Sequence, residues 1–184
     1  MATMNANEVG VGAAAATGAI WVAPKGTALH TDATTALSSS FTLLGFTSDA
    51  GVQISESSSA QTIRAWEAHA EVYNVMTEYT ESISFTPIQC NADVAKLTWG
   101  EDMVEVTNGK ITAKHHGQTM EPVVIVVETT PRDTLVKRYC GTFQLVERGE
   151  VALNGSDVDA RQLTFNSIAD SDGVTMYEYQ ATIS

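Results

Sequence analysis

Apolar and polar residues alternate with a period of two over most of this chain, and that pattern predicts strands. From Ala68 to Ile88, Val72, Tyr73, Val75 and Tyr79 are good strand formers. Ile83 and Phe85 then alternate with Ser82, Ser84 and Thr86. One face of this segment is apolar and the other hydroxyl-rich and acidic, as in a sheet with one solvated side. A break between two strands is expected near Glu78 and Glu81. Val123 to Val127 is apolar without alternation, which predicts a strand covered on both faces, by the core and by either a helix or another subunit. Asn108-Gly109 between alternating residues predicts a tight hairpin. "TLVKRYCGTFQLVERGEVAL" reads as a long strand bent at Gly141, and "RQLTFNSI" and "VTMYEYQATI" read as a closing hairpin. The clearest helix is "NADVAKLTWG", with Asn91 as its N-cap, Asp93 in its first turn and Gly100 at its end.

Between the short strands Ala19–Ala23 and Phe41–Phe46 lie nearly twenty small polar residues. A loop longer than about 12–15 residues is uncommon and usually functional or disordered. Within it, "TDATTALSSS" has the makings of one helical turn capped by Thr31 or Asp32. Residues 1–18, rich in Ala and Gly, read as a flexible N-terminal arm. Residues 19–184 read as a single domain. Around 48–65 an extended hairpin or arm is expected, with Ser55, Glu56, Ser57, Ser58, Ser59, Ala60 and Gln61 as its exposed tip. Ile63 and Trp66 are expected to anchor its base. Eight to ten strands and one helix, without internal repeats, place the chain among mainly β proteins, a β-sandwich or barrel with one flanking helix.

The 184 residues carry 22 Asp and Glu against 10 Lys and Arg, a formal charge of −12. That balance disfavours a nucleic-acid-binding role, which needs cations to neutralise phosphates. It leaves room for a protein that works beside DNA without holding it. No apolar run approaches the roughly 20 residues that cross a bilayer, and no secretory leader is evident, so a cytoplasmic origin is expected. Cys90 and Cys140 are expected to be buried thiols.

Enzyme motifs fail one by one. There is no phosphate-binding Gly-rich loop and no G-x-S-x-G elbow. Adjacent His115 and His116 would point to opposite faces of a strand and make a poor metal site. His30 and His69 read as solvated. Glu78 with Glu81, or Glu147 with Glu150, could serve in principle as acid and base, but nothing in their surroundings implies shifted titration. Asp157, Asp159, Asp170 and Asp172 lack a complete calcium-loop pattern. The three tryptophans read as core or interface residues. On motif evidence alone, no enzyme is expected.

Taken together, "IWVAPKGTALHTDATTALSSSFTLLGFTSDAGVQISES", "TIRAWEAHAEVYNVMTEYTESISFTPIQ", "NADVAKLTWG" and "QLTFNSIADSDGVTMYEYQ" resemble phage tail tube proteins, the major tail proteins of long-tailed, siphovirus-type phages. The resemblance runs in order from residue 19 to 182. His30 departs from it, standing where a proline is common.

The resemblance implies a structural virion protein whose six copies close into a ring, with rings stacking into a tube that conducts DNA into the host. Implied partners are further copies of the chain, a tape-measure protein, tail-tip and terminator proteins, and double-stranded DNA passing without specific binding. No membrane partner and no cofactor are implied. The implied location is the virion tail, after assembly in the bacterial host cytoplasm. Residues 1–18, the 24–40 loop and the 48–65 arm are then expected to reach adjacent subunits or rings. An acidic lumen would let DNA slide, and Glu78 and Glu81, followed by Glu71 and Glu128, are the expected lining. A six-copy ring would carry six times −12, or −72, so salt is expected to speed assembly. The rival readings are a single-ring terminator or connector subunit, and a capsid decoration or adhesin domain.

Overall fold

The computed structural model describes residues 9–15, 18–132 and 134–183. Ten strands and one α-helix make up its regular structure, apart from two short 3₁₀ turns. The strands are β1 (Ile20–Pro24), β2 (Thr42–Leu43), β3 (Thr47–Arg64), β4 (Glu71–Pro87), β5 (Val104–Thr107), β6 (Lys110–Ala113), β7 (Val123–Arg132), β8 (Leu135–Arg148), β9 (Leu163–Ile168) and β10 (Tyr177–Thr182), with α1 (Ala92–Trp99) after β4. Eight strands form one antiparallel sheet in the order β2-β1-β7-β8-β9-β4-β3, with β10 also beside β8. β5 and β6 form a separate hairpin. This is the expected mainly β class with a flanking helix.

Local chemistry accounts for the elements that match expectation. The Asn91 side chain accepts the Val94 N–H at 2.8 Å, and Gly100, at φ 99°, ends α1. Asn108 and Gly109 both take positive φ, 51° and 75°, the conformation a two-residue hairpin turn demands.

The main core lies on one face of the sheet. Ile83, Phe85, Ile125, Phe143, Leu145, Leu163 and Phe165 interlock there, with Leu97 of α1 packed among them. Phe85 and Phe165 stack at 5.5 Å.

The other face of β7 and β8 carries Val124, Val126 and Cys140. It is covered by the chain's own 25–41 segment, through Phe41, Leu29 and Leu37. The expected cover by a helix or a second subunit is corrected, because the chain's own loop supplies it. The loop is held from beneath. Arg138, 3% exposed, donates from Nη1 to the carbonyls of Asp32 and Thr35 at 2.9 Å each. Asp32 in turn accepts from the backbone N–H groups of Thr34 (2.7 Å) and Thr35 (2.6 Å), which makes a capped bend where a helical turn was expected. Residues 9–15, inside the expected N-terminal arm, run along the end of β7. Val11 N–H donates to the Pro131 carbonyl, and Thr130 N–H donates to that of Ala13. Residues 1–8, 16 and 17 of that expected arm lie outside the described residues.

The last two strands are not a hairpin. Ile168 pairs with Thr142 and Tyr177 with Cys140, so β9 and β10 run in the same direction, end to end along β8. Residues 169–176 are a loop thrown out of that line. Asp170 organises it by accepting N–H groups from Asp172 and Val174 and the hydroxyl of Tyr177. That hydrogen bond, followed by burial, pushes the Tyr177 phenol up to about 12. Gly141 is paired within an unbroken β8. A Cβ there would meet the Thr175 carbonyl at 3.0 Å and the Phe143 ring at 3.1 Å, so glycine is needed for close approach.

Candidate functional site

The most prominent feature is a ribbon that leaves the body. β4 pairs with β9 only from Ser82 to Phe85. From Thr80 outward its one strand partner is β3, and both strands are exposed on both faces. At about 3.4 Å per residue, Glu71–Thr80 projects roughly 34 Å. An isolated two-stranded ribbon is marginal in water. Polar and hydroxyl residues on both faces of Ser55–Gln61 explain why that stretch reads as an exposed tip rather than as strand.

The expected arm is therefore real in place but different in construction. Residues 48–65 are one limb, and the return limb is β4. Ser55–Gln61 lie mid-strand, paired with Ser82 through Val75, and are not a tip. The tip is Ala65–Ala70, closed by the Ala65 N–H donating to the Ala70 carbonyl at 2.8 Å. Ala68 and His69 there take positive φ of 54° and 53°, an unfavourable conformation for residues with a Cβ. Ile63 and Trp66 do not anchor the base. Trp66 sits at the tip with 93% of its surface exposed, and Ile63 faces Tyr73 near the same end. In place of the expected break near Glu78 there is a bulge. Ser59 pairs with Glu78 and Ala60 with Met76, leaving Thr77 out of register.

The register assigns each side chain to a face. Ser55, Ser57 and Ser59 share one face with Ser84, Ser82, Thr80 and Glu78, so a hydroxyl-rich strip runs unbroken from body to ribbon. The opposite face continues the core row of Phe85 and Ile83 through Glu81 and Tyr79. Exposed apolar residues gather towards the tip, among them Val72, Tyr73 and Met76 beside Trp66.

The four acidic lining candidates part company here. Glu81 is 7% exposed, lies on the core face and accepts a hydrogen bond from the Thr175 hydroxyl. Glu128, with a side chain 14% exposed, receives Nε of Arg138 at 2.9 Å. Within the single chain, each of these two carboxylates is already engaged, Glu81 by half-buried Thr175 and Glu128 by buried Arg138. Glu71 and Glu78 are exposed on the ribbon, with Glu71 paired to Arg64 at 2.6 Å.

Several other groups depart from their expected settings. Cys90 is exposed, while Cys140 is buried and its thiol is pushed up to about 11 by burial. His30 is half-buried against Phe41, and burial, followed by the Arg138 charge, pulls it below its ordinary value. His115 and His116 lie past the end of β6. The His115 ring stacks on Trp99 at 3.7 Å, and His116 Nε2 lies 2.7 Å from the Trp99 carbonyl. Among the described residues no group of three or more metal-binding side chains converges, and no helix is long and apolar enough to cross a membrane.

Free backbone edges complete the picture. Among the described residues β10 pairs only with β8, and β3 only with β4. Each offers unpaired N–H and C=O groups to another strand. Sequence patterning reads the β10 segment as a strand and the β3 segment as an arm, and it does not reveal that their outer sides are unoccupied.

A family model described as phage tail tube protein matches residues 2–181. A search of curated protein sequences finds no match.

Proposed function

This chain belongs to the phage tail tube protein family, and from that premise we propose that six copies close into a ring and that rings stack into the DNA conduit of a long, siphovirus-type tail. The family is a structural one, its place is the virion tail, and it builds a tube by self-assembly. The observation that carries the finer reading is the ribbon. Tipped by a bare tryptophan and open on both faces, it is poorly stabilised alone and gains by docking on sister copies. The free edges of β3 and β10 lie on different strands of one sheet, so their union would be head-to-tail, the kind of contact from which rings are built.

The hydroxyl-rich strip with Glu78 is the best candidate for the lumen wall, with Glu71 further out. The six hydroxyls and one carboxylate of that strip include no cation. Passing DNA, with one charge per about 1.7 Å of axis, finds no counter-charge there and slides. Growth around a tape-measure protein, closure by terminator and tip proteins, and assembly in the host cytoplasm belong to the same proposal, as does the absence of catalysis and cofactor.

The test is a ribbon-shortened variant in which an Asn-Gly turn replaces residues 58–79 and joins Ser57 to its partner Thr80. The variant should fold, melt cooperatively and form no tubes in negative-stain electron microscopy of concentrated protein, whereas the full chain forms them. Tubes of ordinary length from the shortened chain would refute the ribbon's role. Single rings from the full chain would favour a terminator or connector subunit instead.

A further inference from the structure

At the end of the body opposite the ribbon lies a second feature that the tube reading does not use. Arg148 ends β8 and Arg161 precedes β9, and both guanidinium groups sit over the Trp99 indole, 4.9 and 5.5 Å from the ring centroid. His115 stacks on the same ring. Arg148 has a role in its own chain, since its Nε donates to the Thr98 carbonyl at 2.7 Å at the C-terminal end of α1. Its Nη2 is buried without a hydrogen-bond partner. No side-chain hydrogen bond or ion pair among the described residues involves Arg161.

This convergence is costly as it stands. Five of the ten Lys and Arg side chains are ion-paired, yet among the described residues no carboxylate lies within 4.0 Å of either arginine over Trp99. Burial, and then the Arg161 charge, hold the Arg148 guanidinium below its ordinary value. Two like charges and an orphaned donor face one another in a chain of net charge −12. The arrangement has the composition of an anion site, planar donors backed by an aromatic face.

We propose that the Trp99–Arg148–Arg161 cluster is the receptor for the acidic ribbon tip of a second copy of this chain, with Glu67 as the carboxylate it takes. Two observations select this occupant. The first is placement. Arg148 pairs with Leu163 and Leu163 with Phe85, so the cluster flanks the Pro87 end of β4, whereas the ribbon leaves from the other end of that strand. A copy displaced along the strand direction therefore brings its ribbon towards this site, in the head-to-tail sense that propagates without limit. The second is charge. Beyond the body the ribbon carries Glu67, Glu71 and Glu78 against Arg64 alone, and Arg64 is already engaged by Glu71. Glu67 is exposed in the tip, next to the bare Trp66. The inference rests on the tube reading for the existence of a stacked neighbour, and adds where that neighbour is gripped.

Charge reversal tests it on the full chain. Arg161→Glu and Glu67→Lys are made singly and together, with Arg161→Gln as a milder variant, and monomer melting is checked for each. Each single reversal should raise the protein concentration needed for tube elongation about tenfold or more, as close interfacial charge pairs do. The double reversal should return it to within about threefold of the starting chain. Unchanged elongation by Arg161→Glu and Arg161→Gln, with tubes still forming, overturns the receptor while leaving the tube reading intact. Loss on Arg161→Glu without rescue by Glu67→Lys overturns the choice of occupant, and competition by inorganic phosphate would then point to a phosphate ligand. If the unaltered chain stays monomeric at every concentration, the tube reading and this inference fall together.

Discussion

Replacing Arg138 with methionine removes the clasp beneath the 25–41 loop, and its cost follows from the geometry. The guanidinium holds Glu128 through Nε at 2.9 Å and the Asp32 and Thr35 carbonyls through Nη1. Methionine fills much of the same volume, so the loss is chiefly electrostatic. Glu128 is left as a nearly buried carboxylate without a counter-charge, a situation that costs about 3–5 kcal/mol. The two carbonyls rehydrate only if the loop lifts, which would also uncover Val124, Val126 and Phe41. At roughly 2–4 °C per kcal/mol for a chain of this size, melting should fall by about 6–20 °C. Urea unfolding gives the free energy, and hydrogen exchange across 25–41 reports whether opening is local. In the double variant with Glu128→Gln, the stranded charge is gone and about half or more of the loss should return. Equal destabilisation of single and double variants, or a loss under about 1 kcal/mol, would refute the view that the loop is pinned by a paired charge.

Three further outcomes are expected. Asp32 is held below the ordinary carboxylate range by hydrogen bonds from the Thr35 hydroxyl, then from the backbone N–H groups of Thr35 and Thr34. A lowered folded-state value contributes stability that is complete above the unfolded value of 3.8 and disappears as pH falls towards the folded one. Asp32→Asn should therefore flatten part of the stability decline below about pH 4, read from urea midpoints across pH; an unchanged profile would deny Asp32 that role. Trp66→Ser should leave monomer stability within about 0.5 kcal/mol, because its surface is already exposed. It should nevertheless weaken assembly strongly, since covering an indole is worth roughly 4–6 kcal/mol; sedimentation against concentration separates the two effects. Gly141→Ala should cost about 1–3 kcal/mol in urea unfolding as the new methyl meets the Thr175 carbonyl and Phe143.

Elements whose signal is local are legible in the sequence. Asn91 and Gly100 bracket α1 because capping is decided within one turn of chain, and Asn108-Gly109 sets its hairpin because only positive φ closes it. The Val123–Val127 run announces a strand covered on both faces, and that is a statement about its own side chains. Its covering segment is another matter. The 25–41 loop packs there through Arg138, more than a hundred positions away from the carbonyls it holds, and no periodicity encodes such a pairing. The intrachain engagement of Glu81 and Glu128 is hidden from the sequence for the same reason, since their partners Thr175 and Arg138 meet them only in the folded sheet.

Composition and short-range patterning were enough for a mainly β chain, acidic, with one capped helix and a resemblance to tail tube proteins. They were not enough for the pairing of β3 and β4 far beyond the body, where alternation has no buried face to mark it. The in-line arrangement of β9 and β10, and the convergence of Arg148 and Arg161 on Trp99, came from the folded sheet. Register and long-range neighbourhood are properties of how strands are laid together, and a one-dimensional pattern specifies which face a residue prefers without specifying what it will meet there.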